Sequence, residues 1–254
     1  MRFDLGPLSI RWAHKAPELT VYLVRHGESQ TNADHSLHFE IADPEVELTS
    51  LGFEQAYDAG ERLVEVMSER GDLRKRFRVY HSDYRRAHQT AECVIRQLEI
   101  IGRRRGKFDV RMDDRIRELE FGLLNGMKPK DIAEQHELYD AYQKMLRGQD
   151  CRYYIRRFGG ESPADVADRC RNFINAMYRD YDRHGIKTFV VVAHGLTNRV
   201  MAKLLLKKDR VWYQSQNNPH NGAIRLIVGK TDHGYVHGDV EDWETTDGET
   251  DAPK

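Results

Sequence analysis

Cysteine is scarce in this 254-residue chain, and the three present, Cys93, Cys151 and Cys170, stand far apart. An odd number with no CxxC pair fits neither a disulfide framework nor a metal knuckle, so plain thiols in a reducing compartment are expected. No run approaches the eighteen or so apolar residues that a membrane-crossing helix needs. The start, MRFDLGPLSI, lacks the basic-then-apolar order of a secretory leader, and Arg2 stands where an N-myristoylation signal has glycine. A cytoplasmic protein with no membrane partner is the expectation. Internal repeats are missing as well.

Net charge is nearly absent, at −1 from 40 basic and 41 acidic residues. The balance conceals an asymmetry. From Thr231 onward eight acids face Lys254 alone, so that segment carries −7 and residues 1–230 carry +6. Of the basic residues 28 are arginine, whose guanidinium fork matches phosphate and carboxylate oxygens. An anionic partner follows, and phosphorylated small molecules, nucleic acid and acidic protein surfaces all fit at this level. Residues 231–254, with few apolar side chains and high charge, are expected to be a disordered acidic tail.

What is present is an alternation of strand and helix patterns. Apolar runs rich in β-formers mark strands at 19–24 and 188–193, and further short strands fit 77–81, 108–112 and 223–229. Between them, apolar residues at helical spacing predict helices over about 50–70, 87–98, 162–184 and 195–206. The fold class expected is α/β, a three-layer sandwich with a mainly parallel central sheet and helices on both faces. One domain over 19–230 would follow an arm at 1–18. A polar excursion at 128–158, with Tyr139, Tyr142, Tyr153 and Tyr154, reads as a lid that sets specificity.

Ligands of open α/β sheets bind beyond the carboxyl ends of strands. Three such ends are unusual here. The first runs into Arg25-His26-Gly27-Glu28-Ser29, the second into His81-Ser82-Asp83-Tyr84-Arg85-Arg86, and the third ends at Ala193-His194-Gly195. A histidine at a strand end can simply cap a carbonyl. The glycine after it favours a site, since a residue without Cβ lets backbone N–H groups approach a ligand. A helix starting there would aim its positive end at an anion.

These residues resemble a known family. Arg25-His26-Gly27-Glu28-Ser29 followed by Asn32 resembles the RHGxSxxN signature of the histidine phosphatase superfamily, in its phosphoglycerate mutase-like branch. Leu48-Thr49-x-x-Gly52-x-x-Gln55-Ala56, Ser82-x-x-x-Arg86-Ala87-x-Gln89-Thr90-Ala91, Ile116-x-Glu118-x-x-Phe121-Gly122, Gly160-Glu161-Ser162 and the stretch from Val191 to Gly195 are similar to its later motifs, in the same order. The resemblance implies that His26 is the nucleophile, that Arg25, Arg86 and His194 surround the phosphoryl oxygens, and that Glu118 moves the proton. Asn32 and the Gly195 backbone would add phosphate or substrate contacts. It implies no metal and no cofactor, and a phosphorylated small molecule as substrate.

Other readings stay beside this one. Glu120 is an alternative acid, although the spacing to Phe121-Gly122 favours Glu118. Arg85 reads as a solvated or structural arginine, and Arg156 and Arg157 as surface ion pairs or a second anion contact. Residues 102–108 look like a phosphate loop only superficially, because no Ser or Thr follows Lys107. His35 and His38 lack the carboxylates of a metal site. Basic runs at 74–76 and 103–105 come without a recognition helix or aromatic platform, so nucleic acid is a minor reading. Asn217 to Gly222 reads as a turn before the last strand, with lining of the pocket as the alternative. The family's dedicated mutases place Trp where Thr31 stands here and carry a long basic insert after the acid, and the stretch 128–148 lacks that character. The resemblance therefore implies phosphatase over mutase. A non-catalytic scaffold is less consistent with a complete set of histidines, arginines and acid.

Overall fold

The computed structural model describes residues 18–100, 108–122, 153–154 and 159–240. The arm at 1–17, the basic turn at 101–107, most of the lid at 128–158 with Arg156 and Arg157, and residues 241–254 lie outside the described residues. Six strands build one sheet: β1 (Thr20–Arg25), β2 (Phe77–His81), β3 (Phe108–Met112), β4 (Thr188–Ala193), β5 (Ile224–Val228) and β6 (Thr231–His237). Their order is β3-β2-β4-β1-β5-β6. The first four are parallel, whereas β5 runs antiparallel to β1 and β6 antiparallel to β5. The sheet is thus mixed, with a parallel majority.

The helices are α1 (Gln30–Ala33), α2 (Ser50–Glu69), α3 (Arg85–Ile100), α4 (Pro163–His184), α5 (Gly195–Leu205) and α6 (Arg210–Gln214). Strands β1 and β4 are buried along their whole length, which is why TVYLVR and TFVVVA read as nearly unbroken apolar runs. Their side chains alternate between two cores. Val21, Leu23, Phe189 and Val191 pack with Phe173 and Met177 of α4 and Met201 of α5. Tyr22, Val24, Val190 and Val192 pack with Leu63 of α2 and Val94 and Leu98 of α3. Three layers result.

Local chemistry sets the helix ends. The Thr49 hydroxyl accepts from Gly52 N at 3.0 Å to start α2. Ser162 and Asp165 form a reciprocal capping box on α4, Pro163 fills its first turn, and Gly185 ends it at φ 68°.

One expectation fails. The acidic tail read as disordered from 231 onward begins with an ordered strand. Thr231–His237 pairs with β5, and Asp232 is ion-paired to Arg225. The chain then continues into a bridge between Val240 and Pro219.

Sheet register places the chemistry. Arg25 lies opposite Ala193, and His81 opposite Val192. The next residues of three strands therefore emerge together. His26 N donates to Ala193 O and Ser82 N to Val192 O, both at 3.0 Å.

Candidate active site

His26 is 4% exposed and His194 fully buried, with ring centroids 5.2 Å apart, edge to face. The His26 Nδ1 lies 2.7 Å from the Gly27 carbonyl. A carbonyl can only accept, so Nδ1 carries the hydrogen and Nε2 keeps a free lone pair. That lone pair faces Arg86, whose Nε donates to it at 3.3 Å. Burial, with the charges of Arg86 and Arg25 beside it, holds the His26 pKa well below its ordinary value. His194 is lowered likewise by burial, Arg86 and His26. Both rings are neutral at physiological pH, as a nitrogen nucleophile has to be.

Arg86, also buried, is anchored by Asp43. Its Nη1 donates to the Asp43 carbonyl at 2.7 Å and to Oδ1 at 2.9 Å. The Tyr84 ring supports the guanidinium at 5.0 Å and meets the His194 ring edge to face at 5.2 Å. Arg25 donates from Nη1 to the Pro219 carbonyl. On His194, Nε2 lies 2.9 Å from the Ser82 hydroxyl, whereas the buried Nδ1 has no hydrogen-bond partner among the described residues. A Ser82 O–H donated to Nε2 puts the ring hydrogen on Nδ1, where an oxyanion can use it.

Glu118 joins this group through α5. Its Oε2 accepts from Leu196 N at 3.2 Å and its Oε1 from Leu119 N at 3.0 Å. The Thr197 hydroxyl lies 3.1 Å from the same Oε1 and 2.8 Å from the Arg117 carbonyl. The positive end of α5, expected to face a bound anion, is therefore occupied in part by the chain's own carboxylate. Glu120 is placed differently: it accepts from the Tyr84 hydroxyl at 3.2 Å and lies 3.7 Å from Arg117.

Asn32 sits behind His26. Its Oδ1 accepts from Ser29 N, the Ser29 hydroxyl and Asn221 Nδ2 at 3.1, 2.9 and 3.0 Å. That oxygen is committed to the loop, which leaves only the amide N–H groups for a ligand. The two glycines after the histidines have a different origin from the one expected. A Cβ on Gly27 would stand 2.1 Å from the Gly52 carbonyl, and one on Gly195 would stand 2.2 Å from Asn218 Oδ1. Gly27 N is itself taken by the Thr90 hydroxyl at 3.1 Å. Backbone packing requires Gly27, and the absence of a Cβ at Gly195 makes room for the Asn218 side chain.

A model of the histidine phosphatase superfamily (branch 1) matches residues 21–238. The chain belongs to that superfamily. It is 33% identical over 215 residues to phosphoglycerate mutase-like protein AT74 of Arabidopsis thaliana, a match covering 82% of this chain and 64% of that protein. The chain thus spans a little under two thirds of that relative's length. Its fold superposes at TM-score 0.59 and 23% identity on a mycobacterial glucosyl-3-phosphoglycerate phosphatase, over 82% of this chain and 92% of the other. It superposes at TM-score 0.61 and 20% identity on a phosphoglycerate mutase from Bacillus anthracis, over 84% and 88%.

Several motif residues of this superfamily member hold loops rather than face the site. Gln55 accepts from Glu28 N at 2.7 Å, and Gln89 from Leu48 N at 2.8 Å. Arg85 pairs with Glu47 at 2.7 Å on the surface. The turn at 217–222 does more than connect: besides Pro219 and Asn218, its Asn221 and Gly222 donate to the His26 carbonyl at 3.3 and 3.1 Å. Tyr153, expected on a specificity lid, is instead buried against Tyr213 and under the Lys203 ammonium. Sequence reasoning missed Asp43 and Arg169, gave Ser82 no role, and placed Asn221 in a segment read as a turn with pocket lining as the alternative. Only Ser82 lay within a quoted motif. Among the described residues no group of three or more His, Cys, Asp or Glu is arranged to hold a metal ion, and no helix is long and apolar enough to cross a membrane.

Proposed function

We propose that this protein is a phosphatase that hydrolyses a small-molecule phosphomonoester through a phosphohistidine on His26. The observation that carries the reading is the buried pair of rings: the lone pair of His26 Nε2 faces Arg86, and the unpartnered Nδ1 of His194 lies close by. A phosphoryl group entering there would take the Arg86 N–H from Nε2 onto its own oxygen and free the nucleophile. Nε2 then bonds to phosphorus as the ester P–O bond breaks, and the leaving oxygen takes a proton from Glu118. The Gly27 carbonyl steadies the positive ring that results. Water next attacks phosphorus and gives its proton to Glu118, and the N–P bond breaks to release phosphate and neutral imidazole. Fixed cations and donors supply the charge neutralisation that phosphoryl transfer needs.

Relatives named as phosphoglycerate mutase-like and as a glucosyl-3-phosphoglycerate phosphatase support a phosphorylated small molecule as substrate. Hydrolysis is favoured over mutase chemistry by Thr31, which is buried with its hydroxyl 3.2 Å from that of Ser29 instead of presenting a large ring beside Asn32. The test is phosphate release from a panel of phosphorylated metabolites. His26→Ala should lower kcat/KM by about 10³-fold or more and abolish an acid-labile phosphoprotein that can be trapped in the wild type. Equal rates in the two proteins would remove His26 as nucleophile. Rapid exchange of phosphate between hydroxyls of one ligand would assign a mutase.

A further inference from the structure

One side chain makes several of the bonds that hold the loop carrying Glu118. Arg169 on α4 uses all five of its N–H groups. Nε donates to Glu161 Oε1 at 2.9 Å and Nη2 to Glu161 Oε2 at 2.9 Å. Nη1 donates to the carbonyls of Arg115 and Arg117 at 2.8 and 2.7 Å, and Nη2 to the carbonyl of Glu118 at 3.0 Å. Glu161 grips the same loop as well: its Oε2 accepts from Glu120 N at 3.2 Å, and its own N donates to Glu120 O at 2.9 Å. Only a planar five-donor fork can bind a carboxylate and three converging carbonyls at once; a lysine ammonium has three donors at one point.

The place where these contacts end gives them meaning. They stop on the backbone of Glu118 and its near neighbours, while the Glu118 carboxylate rests on Leu119 N, Leu196 N and Thr197. We infer that Arg169 is a positioning residue that fixes Glu118 for proton transfer to the leaving oxygen. The inference rests on Glu118 being the proton donor of the proposed hydrolysis. Leaving groups that need little protonation should then be insensitive to Arg169, and poor leaving groups sensitive.

The probes are para-nitrophenyl phosphate, with an acidic leaving phenol, and phenyl phosphate, with a weakly acidic one. The readout is kcat/KM, because it stops at the phosphoenzyme. Glu118→Gln should lose on the order of 10²–10⁴-fold on phenyl phosphate and far less on the nitrophenyl ester. Arg169→Lys should follow the same pattern, with a loss roughly tenfold greater on phenyl phosphate, as a displaced catalytic group gives. Arg169→Ala should be partly rescued by free guanidinium on phenyl phosphate; if that variant does not fold, Arg169→Lys carries the test. A steep dependence for Glu118→Gln with an equal loss on both esters for Arg169→Lys overturns the inference and leaves Arg169 a fold support. An equal loss on both esters for Glu118→Gln overturns the proton-donor reading and the inference with it. A wild type inert on both esters overturns the phosphatase reading and everything built on it.

Discussion

Asp43 is a carboxylate whose value lies in what it holds. It is buried, and both its side chain and its carbonyl accept from Arg86 Nη1. Without that anchor Arg86 would keep the Tyr84 ring beneath it and the Asp43 backbone, but its Nε would lose its fixed direction toward His26. Asp43→Ala is expected to lower kcat/KM for a phosphomonoester by about 10²-fold, the scale of a misplaced site group. Asp43→Asn keeps an acceptor oxygen and should lose less. Steady-state kinetics of the two variants check this, and equal losses would mean that charge, not direction, is what Asp43 supplies. The same economy explains the glycines at 27 and 195. At each the missing Cβ makes room for another part of the chain, Gly52 in one case and Asn218 in the other, so that a histidine can stand at the strand end before it.

At the scale of elements, the C-terminal hairpin is the part that composition misjudged. Strand β6 reads TDHGYVH, with apolar side chains only at Tyr235 and Val236, and it precedes a strongly acidic run that dominates any average over residues 231–254. Its stability comes from long-range pairing instead: ladder bonds to β5 and Asp232 against Arg225, whose side chain is 8% exposed and lies between the rings of Trp212 and Tyr235. Beyond β6, Asp239 O accepts from His220 N at 2.8 Å and Val240 bridges Pro219, the residue that holds Arg25. Cutting the chain after Lys230 should therefore cost both stability and activity. Losing the β5 ladder together with the Asp232–Arg225 pair should move the unfolding midpoint to lower denaturant, readable by urea unfolding. A truncated chain that unfolds at the wild-type urea concentration would make β6 dispensable. Strands β1 and β4 were legible because burial on both faces leaves an apolar run, and the helices because 3.6-residue periodicity survives in sequence. His26, Arg86, Glu118 and His194 were legible because their motifs are local. Asp43 and Arg169 were not, since a single polar residue acting from a distant loop or helix leaves no periodic or local signal; Asn221 was visible only as part of a segment read as a turn or pocket lining.

For the whole molecule, the cluster of buried neutral histidines sets how stability follows pH. The pKa values of His26, His194 and His81 all lie below the ordinary 6.5, with burial the largest cause in each. In the unfolded chain the same rings take up protons near 6.5, so below that pH the unfolded state binds more protons than the folded one. Stability is then fully present above about 6.5 and falls as pH drops toward the folded values, by up to about 1.4 kcal/mol per pH unit for each ring. The carboxylates act lower. Asp180 and Asp232 are held below the ordinary 3.8 by Arg78 with Tyr80 and by Arg225, against the opposing pull of burial. Their contribution is present above about 4 and lost beneath it. Urea unfolding across the acid range should thus show a decline that starts near pH 6.5, well above the carboxylate region. Replacing His26 and His194 together by Asn should flatten that first limb and leave the second. Inorganic phosphate tests the same coupling from the other direction. An oxyanion seated between Arg25, Arg86 and His194 would favour the protonated form of His194, so saturating phosphate should stabilise the wild type and make its decline below pH 6.5 shallower. A slope unchanged by phosphate would mean that the anion does not bind beside the histidines.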